Sequence, residues 1–344
     1  MIFTNCVVAS VPADYIDKYP GYENVFLDDF EGTELNHAYW SSVKEGAGGF
    51  PPFGGNNEGQ TYVDEAVTVE NGNLILKTTK TDNPVGGVGS YATSGRITTY
   101  DSNEPALLVK PGSIVEASIK FSNVPTTFAA FWLLPKMSDR SGWPVIGEID
   151  IAEHWGTAPD RDGSSGNYTQ ATAVSDGVKD GKVCFNKKRE MQDAGFFDEF
   201  HTYALRFEEE KLTFFLDGNQ VQEVTKENHG PTCGGTPGQW WPFAEDKEWF
   251  IILNAALDNN IGYGKVGGEE PLPSDAQMEV DYVTVYKSTG SGAYEEETTE
   301  LPIETEAESS GYGSNEPEES SGYGEPEEAD NIADAPKKCH KKTQ

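Results

Sequence analysis

Apolar and polar positions along this chain alternate mostly with a period of two. Val115, Ala117, Ile119 and Phe121 interleave with Glu116, Ser118 and Lys120, which predicts a strand with one buried face. Leu212, Phe214 and Leu216 alternate in the same way and run into Asp217-Gly218-Asn219. Val67-Thr68-Val69-Glu70 and Leu74-Ile75-Leu76-Lys77 flank Asn71-Gly72-Asn73. Asn-Gly or Asp-Gly between such runs predicts a hairpin, because both residues tolerate the left-handed backbone of its tight turn. Further strands are predicted near residues 25–30, 94–99, 201–207, 249–254 and 281–286, and residues 128–135 are apolar nearly throughout, as a strand covered on both faces is. No stretch shows helical periodicity. The predicted fold class is all-β, an antiparallel β-sandwich.

One predicted strand carries candidate chemistry. Gly147-Glu148-Ile149-Asp150-Ile151-Ala152-Glu153-His154 holds three carboxylates within six residues. On an extended strand Glu148 and Asp150 share one face, and Ile149 and Ile151 the other. Strict alternation sends Glu153 to the wrong side, and one extra residue at Ile151-Ala152, taken up as a β-bulge, returns it. Close, partly buried carboxylates drive their pKa values apart, so that one stays ionised while another keeps its proton. Cleavage of a glycosidic bond needs that division between nucleophile and acid. The same pattern also suits a solvated acidic face on an edge strand. Trp143-Pro144 before it and His154-Trp155-Gly156 at its end favour a sugar-binding cleft, where aromatic rings meet sugar C–H groups.

The run from Trp143 through Gly147-Glu148-Ile149-Asp150-Ile151-Ala152-Glu153-His154 resembles the catalytic signature of family-16 glycoside hydrolases, in the bulged form of laminarinase-like endo-β-1,3-glucanases. The likeness extends over about residues 24–287 through further motifs in the same order: Val25-Phe26-Leu27-Asp28-Asp29-Phe30, Phe131-Trp132-Leu133-Leu134-Pro135, and the strands at 249–254 and 281–286. It implies a jelly roll of the concanavalin A-like kind, two curved sheets with substrate across the concave one. It also implies Glu148 as nucleophile, Glu153 as acid/base and Asp150 as the group between them. Candidate substrate contacts are Trp143, Asn57, Arg96, Trp132, Trp155 and His154. Asn56 and Asn57 also suit a plain turn, Arg96 a rim charge and Trp132 the core. Relatives often carry a structural calcium, for which Asp281 would supply a carboxylate and Gly72 a carbonyl. Catalysis itself needs no cofactor. Many laminarinase-like relatives place a His in the strand after the acids. Here residues 157–200 contain none, and Gln170-Ala171-Thr172 stands at that place, which leaves open how the acid/base is polarised.

Composition then narrows the partners. The 344-residue chain carries a formal net charge of −33, which excludes a nucleic-acid-binding role resting on a cationic surface. Fifteen acidic and four basic residues fall from Thr289 onward, so 11 of those negative charges sit in the tail. There Glu, Ser, Gly and Pro dominate, and Glu308-Ser309-Ser310-Gly311-Tyr312-Gly313 is echoed by Glu319-Ser320-Ser321-Gly322-Tyr323-Gly324. Residues 289–344 are therefore expected to be disordered, residues 23–288 to be the folded body, and residues 1–22 a leader or signal-peptide remnant. No apolar run is long enough to span a membrane. Cys184 and Cys233 lie in the body and would pair in an oxidising compartment; otherwise they are two free thiols, and neither has spacing for zinc. Asn167-Tyr168-Thr169 is a glycosylation sequon. The expected protein is an extracellular or wall-associated monomer acting on β-glucan. A wall transglycosylase and a non-catalytic β-glucan-recognition protein are the alternatives.

Overall fold

A computed structural model describes residues 15, 18–43, 58–85, 90–100, 107–124, 127–136, 142–156, 167–176, 183–193, 195–244, 246–257 and 276–290. In chain order the strands are β1 (Tyr22–Asp28), β2 (Ser41–Ser42), β3 (Thr61–Tyr62), β4 (Val67–Glu70), β5 (Asn73–Val85), β6 (Ser90–Ser94), β7 (Arg96–Thr98), β8 (Ser113–Lys120) and β9 (Thr127–Pro135). They continue as β10 (Glu148–Trp155), β11 (Tyr168–Ser175), β12 (Cys184–Met191), β13 (His201–Phe207), β14 (Lys211–Leu216), β15 (Asn219–Thr225), β16 (Trp249–Leu257) and β17 (Ala276–Ser288). A helix, α1 (Lys226–Thr232), follows β15.

The strands form two sheets, as a sandwich requires. Ten make one sheet in the order β15-β14-β13-β8-β17-β5-β6-β3, with β1 on β17 and β4 on β5. Seven make the other, β12-β11-β10-β9-β16-β7-β2, and every ladder in it is antiparallel. Both predicted hairpins form. Asn71 and Gly72 (φ 55° and 76°), and Asp217 and Gly218 (φ 49° and 76°), take the left-handed conformation at both central turn positions. The predicted strand at 94–99 is broken at Gly95, where a Cβ would lie 2.6 Å from the Ala66 carbonyl oxygen.

Between the sheets, Ala173, Ile149, Leu133 and Ile251 stand side by side across β11, β10, β9 and β16, each wholly buried. Val115, Ala117, Leu205, Phe207 and Val283 of the larger sheet belong to the same core. Burying a Val, Leu, Ile or Phe side chain among them contributes about 1.5–3 kcal/mol. The odd-numbered face of β10 at residues 149–151 is thus committed to the core, and its acids are left on the outer face.

Helix α1 has no counterpart in the hydrophobic pattern, since seven residues are too few to show a 3.6-residue period. Its cap sets it instead: Thr225 Oγ1 accepts from the Asn228 backbone N–H (3.1 Å), and Asn228 Oδ1 accepts from the Thr225 N–H (2.9 Å). Cys233 closes the helix and is joined by a disulfide to Cys184 at the start of β12. A cross-link over 49 residues stabilises by about 2–4 kcal/mol. Cys6 and Cys339 lie outside the described residues.

Of the expected leader, only Tyr15 and residues from Lys18 onward are described, and they pack on the body. Lys18 Nζ and the Tyr19 hydroxyl each reach the buried Glu116 carboxylate at 2.5 Å, and Tyr15 lies edge-on to Tyr282 at 5.1 Å. A buried charge needs such partners, so the packed body begins ahead of residue 23. Of the expected tail, Thr289 and Gly290 alone are described. Among the described residues no helix is long and apolar enough to cross a membrane.

Candidate active site

The acids stand on β10, whose pairing slips once. Asp150 lies opposite Thr172 and Trp132, whereas Ala152 lies opposite Phe131 and Glu153 opposite Gln170 and Ala130. The extra residue is at Ile151-Ala152, the predicted position, and both side chains are buried in the core. Glu153 therefore returns to the face of Glu148 and Asp150.

Residues opposite one another on neighbouring antiparallel strands point to the same side. Register alone then aligns two rows on this face of the smaller sheet. One runs Arg189, Gln170, Glu153, Ala130, Asn254, Arg96; the next runs Lys187, Thr172, Asp150, Trp132, Ile252, Thr98. Trp132 Nε1 donates to Asn254 Oδ1 (2.7 Å), and Asn254 Nδ2 donates to the Tyr62 hydroxyl (3.1 Å). The Arg96 guanidinium lies 5.0 Å from the Trp132 ring and 5.9 Å from that of Tyr62. Glu58 accepts from Gln60 Nε2 at 2.7 Å and is close enough to Arg96 to favour its charge. Arg96 is thus a buried cation in the floor of the face, not a rim charge.

The three carboxyls are pushed in one direction and then distinguished by their neighbours. Burial, followed by the charges of Glu153 and Glu148, holds Asp150 well above the usual carboxylate range, so it keeps its proton and donates it to Glu148. Burial carries Glu148 from 4.5 up to about 7, with the charge of Glu153 adding to it. The Trp143 indole Nε1–H, 2.8 Å away, the Asp150 hydrogen bond and Arg96 all favour the Glu148 carboxylate and limit that rise. Glu153 is also raised by burial, against Gln170 Nε2 and Thr172 Oγ1, which both donate to its Oε2 at 3.0 Å. Lys187 and Arg189 further oppose the rise. Gln170 is itself held by Arg189 Nε, which donates to its Oε1 at 3.1 Å. The strand that lacks the relatives' His thus supplies Glu153 with a threonine and an arginine-anchored glutamine.

Two of the remaining expected contacts, Trp143 and Trp155, fall around this face. Trp143 is 47% exposed at its edge, and Trp155, half-buried, stacks on Phe128 with ring centroids 4.5 Å apart. His154 does not belong to it. Once the bulge has turned Glu153 outward, the next residue must point inward. His154 is wholly buried, its Nδ1 lies 2.9 Å from the Tyr168 carbonyl oxygen, and its ring stacks on Phe197 at 3.7 Å. Burial pushes its pKa down to about 4, so it is a neutral core residue. Asn57 lies outside the described residues. Asn167 is half-buried ahead of β11, with Thr169 of its sequon buried in the sheet. Asp281 is exposed on β17 and Gly72 sits in the β4–β5 turn, where a Cβ would lie 3.1 Å from the Glu31 carboxylate. Among the described residues no three His, Cys, Asp or Glu side chains are grouped to hold a metal. Gln170, Thr172, Lys187, Arg189, Tyr62, Glu58 and Asn254 were not among the expected contacts. The Gln170-Ala171-Thr172 departure was a hint of two of them.

The chain is similar to known proteins over this body. The chain is 28% identical over 276 residues to the glucan endo-1,3-β-glucosidase A1 of Niallia circulans, covering 78% of this chain and 38% of that protein. It is 27% identical over 285 residues to the β-glucanase of Rhodothermus marinus, covering 80% and 88%. The X-ray structure of an endo-β-1,3-glucanase from Pyrococcus furiosus matches at 30% identity with a TM-score of 0.62, over 77% of this chain and 94% of that one. A family model described as "Beta-porphyranase A-D, GH16 domain" matches residues 23–288. With two glutamates brought to one face by a bulge, on a two-sheet fold matched over the whole body, the chain belongs to glycoside hydrolase family 16.

Proposed function

We propose that the chain is a retaining endo-glycosidase that hydrolyses β-1,3- or mixed β-1,3-1,4-glucan by double displacement. The observation that carries this reading is the slip at Ile151-Ala152, which brings Glu148 and Glu153 out on one short stretch of β10. Retention needs carboxyl groups about 5–5.5 Å apart, and Glu148 and Glu153 share one face of one strand with Asp150 between them. Glu148 attacks the anomeric carbon as the C–O bond to the leaving sugar breaks, giving a covalent glycosyl-enzyme. Glu153 passes its proton to the departing oxygen. A water then attacks the same carbon, Glu153 takes the water's proton, and Glu148 is released. With Oε2 of Glu153 occupied by Gln170 and Thr172, Oε1 is the oxygen that carries the exchanged proton. Asp150 gives Glu148 a hydrogen bond that favours its carboxylate between turnovers.

The test is product analysis on laminarin, lichenan and porphyran with the anomers followed by NMR. Shorter products of retained configuration support the reading, and inverted products overturn it. Longer products with an acceptor oligosaccharide would make the chain a transglycosylase, and binding without products a recognition protein. We further propose export, which suits the Cys184–Cys233 disulfide, and action as a monomer. A structural calcium would take the Asp281 carboxylate and the Gly72 carbonyl, with the Glu31 carboxylate beside Gly72. Chelation is then expected to lower Tm and added calcium to restore it. An unchanged Tm removes that proposal.

A further inference from the structure

A glutamine beside a carboxyl group has no fixed effect on it. One end of its amide is a hydrogen-bond acceptor and the other a donor, and the two ends are alike in shape. With its NH₂ towards Glu153, Gln170 favours the carboxylate. With its oxygen towards Glu153, it favours the protonated acid, which alone has a hydrogen to give. The group behind Gln170 therefore decides which form of the acid/base it supports.

That group is Arg189. Gln170 stands opposite Glu153 on one side and opposite Arg189, on the edge strand β12, on the other. Arg189 Nε donates to Gln170 Oε1 at 3.1 Å. A guanidinium has donors only, so it takes the oxygen end of an amide and repels the NH₂ end. Gln170 Nε2 is left to donate to Glu153 Oε2 at 3.0 Å and to Thr172 Oγ1 at 3.2 Å. Thr172 Oγ1 gives its own hydrogen to the same Oε2 at 3.0 Å. Every hydrogen bond in this set thus runs from β12 towards Glu153. A reversed amide would set NH₂ against N–H and oxygen against carboxylate, and with Gln170 and Thr172 buried, solvent would not make up the loss.

Arg189 is held in place by its own neighbours. Its guanidinium lies 4.4 Å from the buried Tyr168 ring. At the start of the same strand Cys184 is bonded to Cys233, and the Asn186 carbonyl accepts from Gln222 Nε2 at 3.1 Å.

We propose that Arg189 is a positioning residue for the acid/base, locking the Gln170 amide so that it does not turn when Glu153 gains or loses its proton. This deepens the glycosidase reading and rests on the part given there to Glu153. The rival account is that Arg189 acts by charge alone. Among the described residues, the titratable and charged groups that face Glu153 are Glu148 and Asp150 on its own strand, Lys187 and Arg189 on β12, and Arg96 at the end of its row. β9 and β16 bring Ala130, Trp132 and Asn254, which do not titrate. Lys187 opposes the rise that burial gives Glu153 more than Arg189 does. Charge alone therefore predicts at least as large an effect from removing Lys187. A lock predicts the opposite order.

The experiment titrates Glu153 itself, by carbon NMR of the full chain isotopically labelled at the glutamate δ-carbons, with E153Q identifying its signal. R189M is expected to move the midpoint to higher pH by about 0.4–1.1 units, the worth of one hydrogen bond, because the freed amide turns its oxygen to the protonated acid. K187M should move it less. In a Q170A background, adding R189M should have no more effect than adding K187M. R189Q keeps a polar chain against Tyr168 but offers an acceptor as well as a donor, so it should behave as R189M. R189K should return the midpoint towards that of the wild type. The basic limb of kcat/KM on laminarin should move with the titration. A midpoint unmoved in both R189M and R189Q, a shift no larger than that of K187M, or the same shift with and without Gln170 overturns the proposal. A lowered Tm with an unchanged titration would make Arg189 a packing residue only. If the wild type cleaves no glycan and the midpoint still shifts as expected, the glycosidase reading falls and the lock on Gln170 stands.

Discussion

Glu148→Gln is expected to lower kcat on laminarin by at least about 10⁴-fold while oligosaccharide binding persists, because it removes the carboxylate proposed to hold the glycosyl unit covalently. The same variant reports on stability, and there the sign is opposite. A carboxyl raised from 4.5 to about 7 holds its proton more tightly in the folded state than in the unfolded one. Its stabilising contribution is full below pH 4.5 and is lost as pH rises through about 7, ending as a cost on the order of 3 kcal/mol. Glutamine keeps the shape without the charge. E148Q should therefore have a higher Tm than wild type at pH 8, and the gap should close towards pH 4. An E148Q protein that is inactive yet no more stable at pH 8 would contradict the burial assigned to Glu148, and one that turns over laminarin like wild type would contradict its role. With Glu148 as the proposed nucleophile, kcat/KM of the wild type should fall as pH drops below about 7.

Glu153→Ala is the second large effect. Loss of proton donation is expected to reduce kcat/KM on laminarin by about 10²–10⁴-fold. Aryl β-glucosides with good leaving groups need little protonation and should lose far less in the glycosylation step. Added azide, which needs no general base, should then restore turnover and give a glycosyl azide of retained configuration. An E153A enzyme that loses the same factor on both substrate types, with no azide product, would leave Glu153 without its acid/base role. The neighbours of Glu153 divide the load: Gln170 and Thr172 fix Oε2, so weakening them should broaden the pH profile's basic side before it removes activity.

These effects converge on two glutamates because the surrounding sheet makes their inequality. Asp150 is too enclosed to ionise beside two other acids, and its retained proton serves Glu148. Glu153 has two neutral donors and two nearby cations, which oppose the rise that burial gives it. Family relatives often meet the second requirement with an imidazole on the next strand. This chain meets it with Thr172 and with Gln170 braced by Arg189.

Much of this was legible along the chain. Alternation placed Glu148 and Asp150 together, and a single insertion was the least change that could bring Glu153 back, since strand faces have a period of two. Asn71-Gly72 and Asp217-Gly218 could be read as hairpins because the backbone demand of a tight turn is local. His154 was misjudged for an instructive reason: read as part of an aromatic flank it looked like a ligand contact, yet the bulge that turns Glu153 outward must turn His154 inward. The identities of residues thus determined which side chains share a face within one strand, and where the strands turn.

Which strands lie side by side was decided only by the tertiary structure. Glu153 meets Gln170 and Thr172, and those meet Lys187 and Arg189, through two registers set across connections that no local pattern encodes. Asn254 reaches Trp132 and Tyr62 from strands far apart in sequence for the same reason. Pairing between distant strands depends on how both faces of the whole sheet are satisfied at once, and that is a property of the packed sandwich rather than of any segment in it.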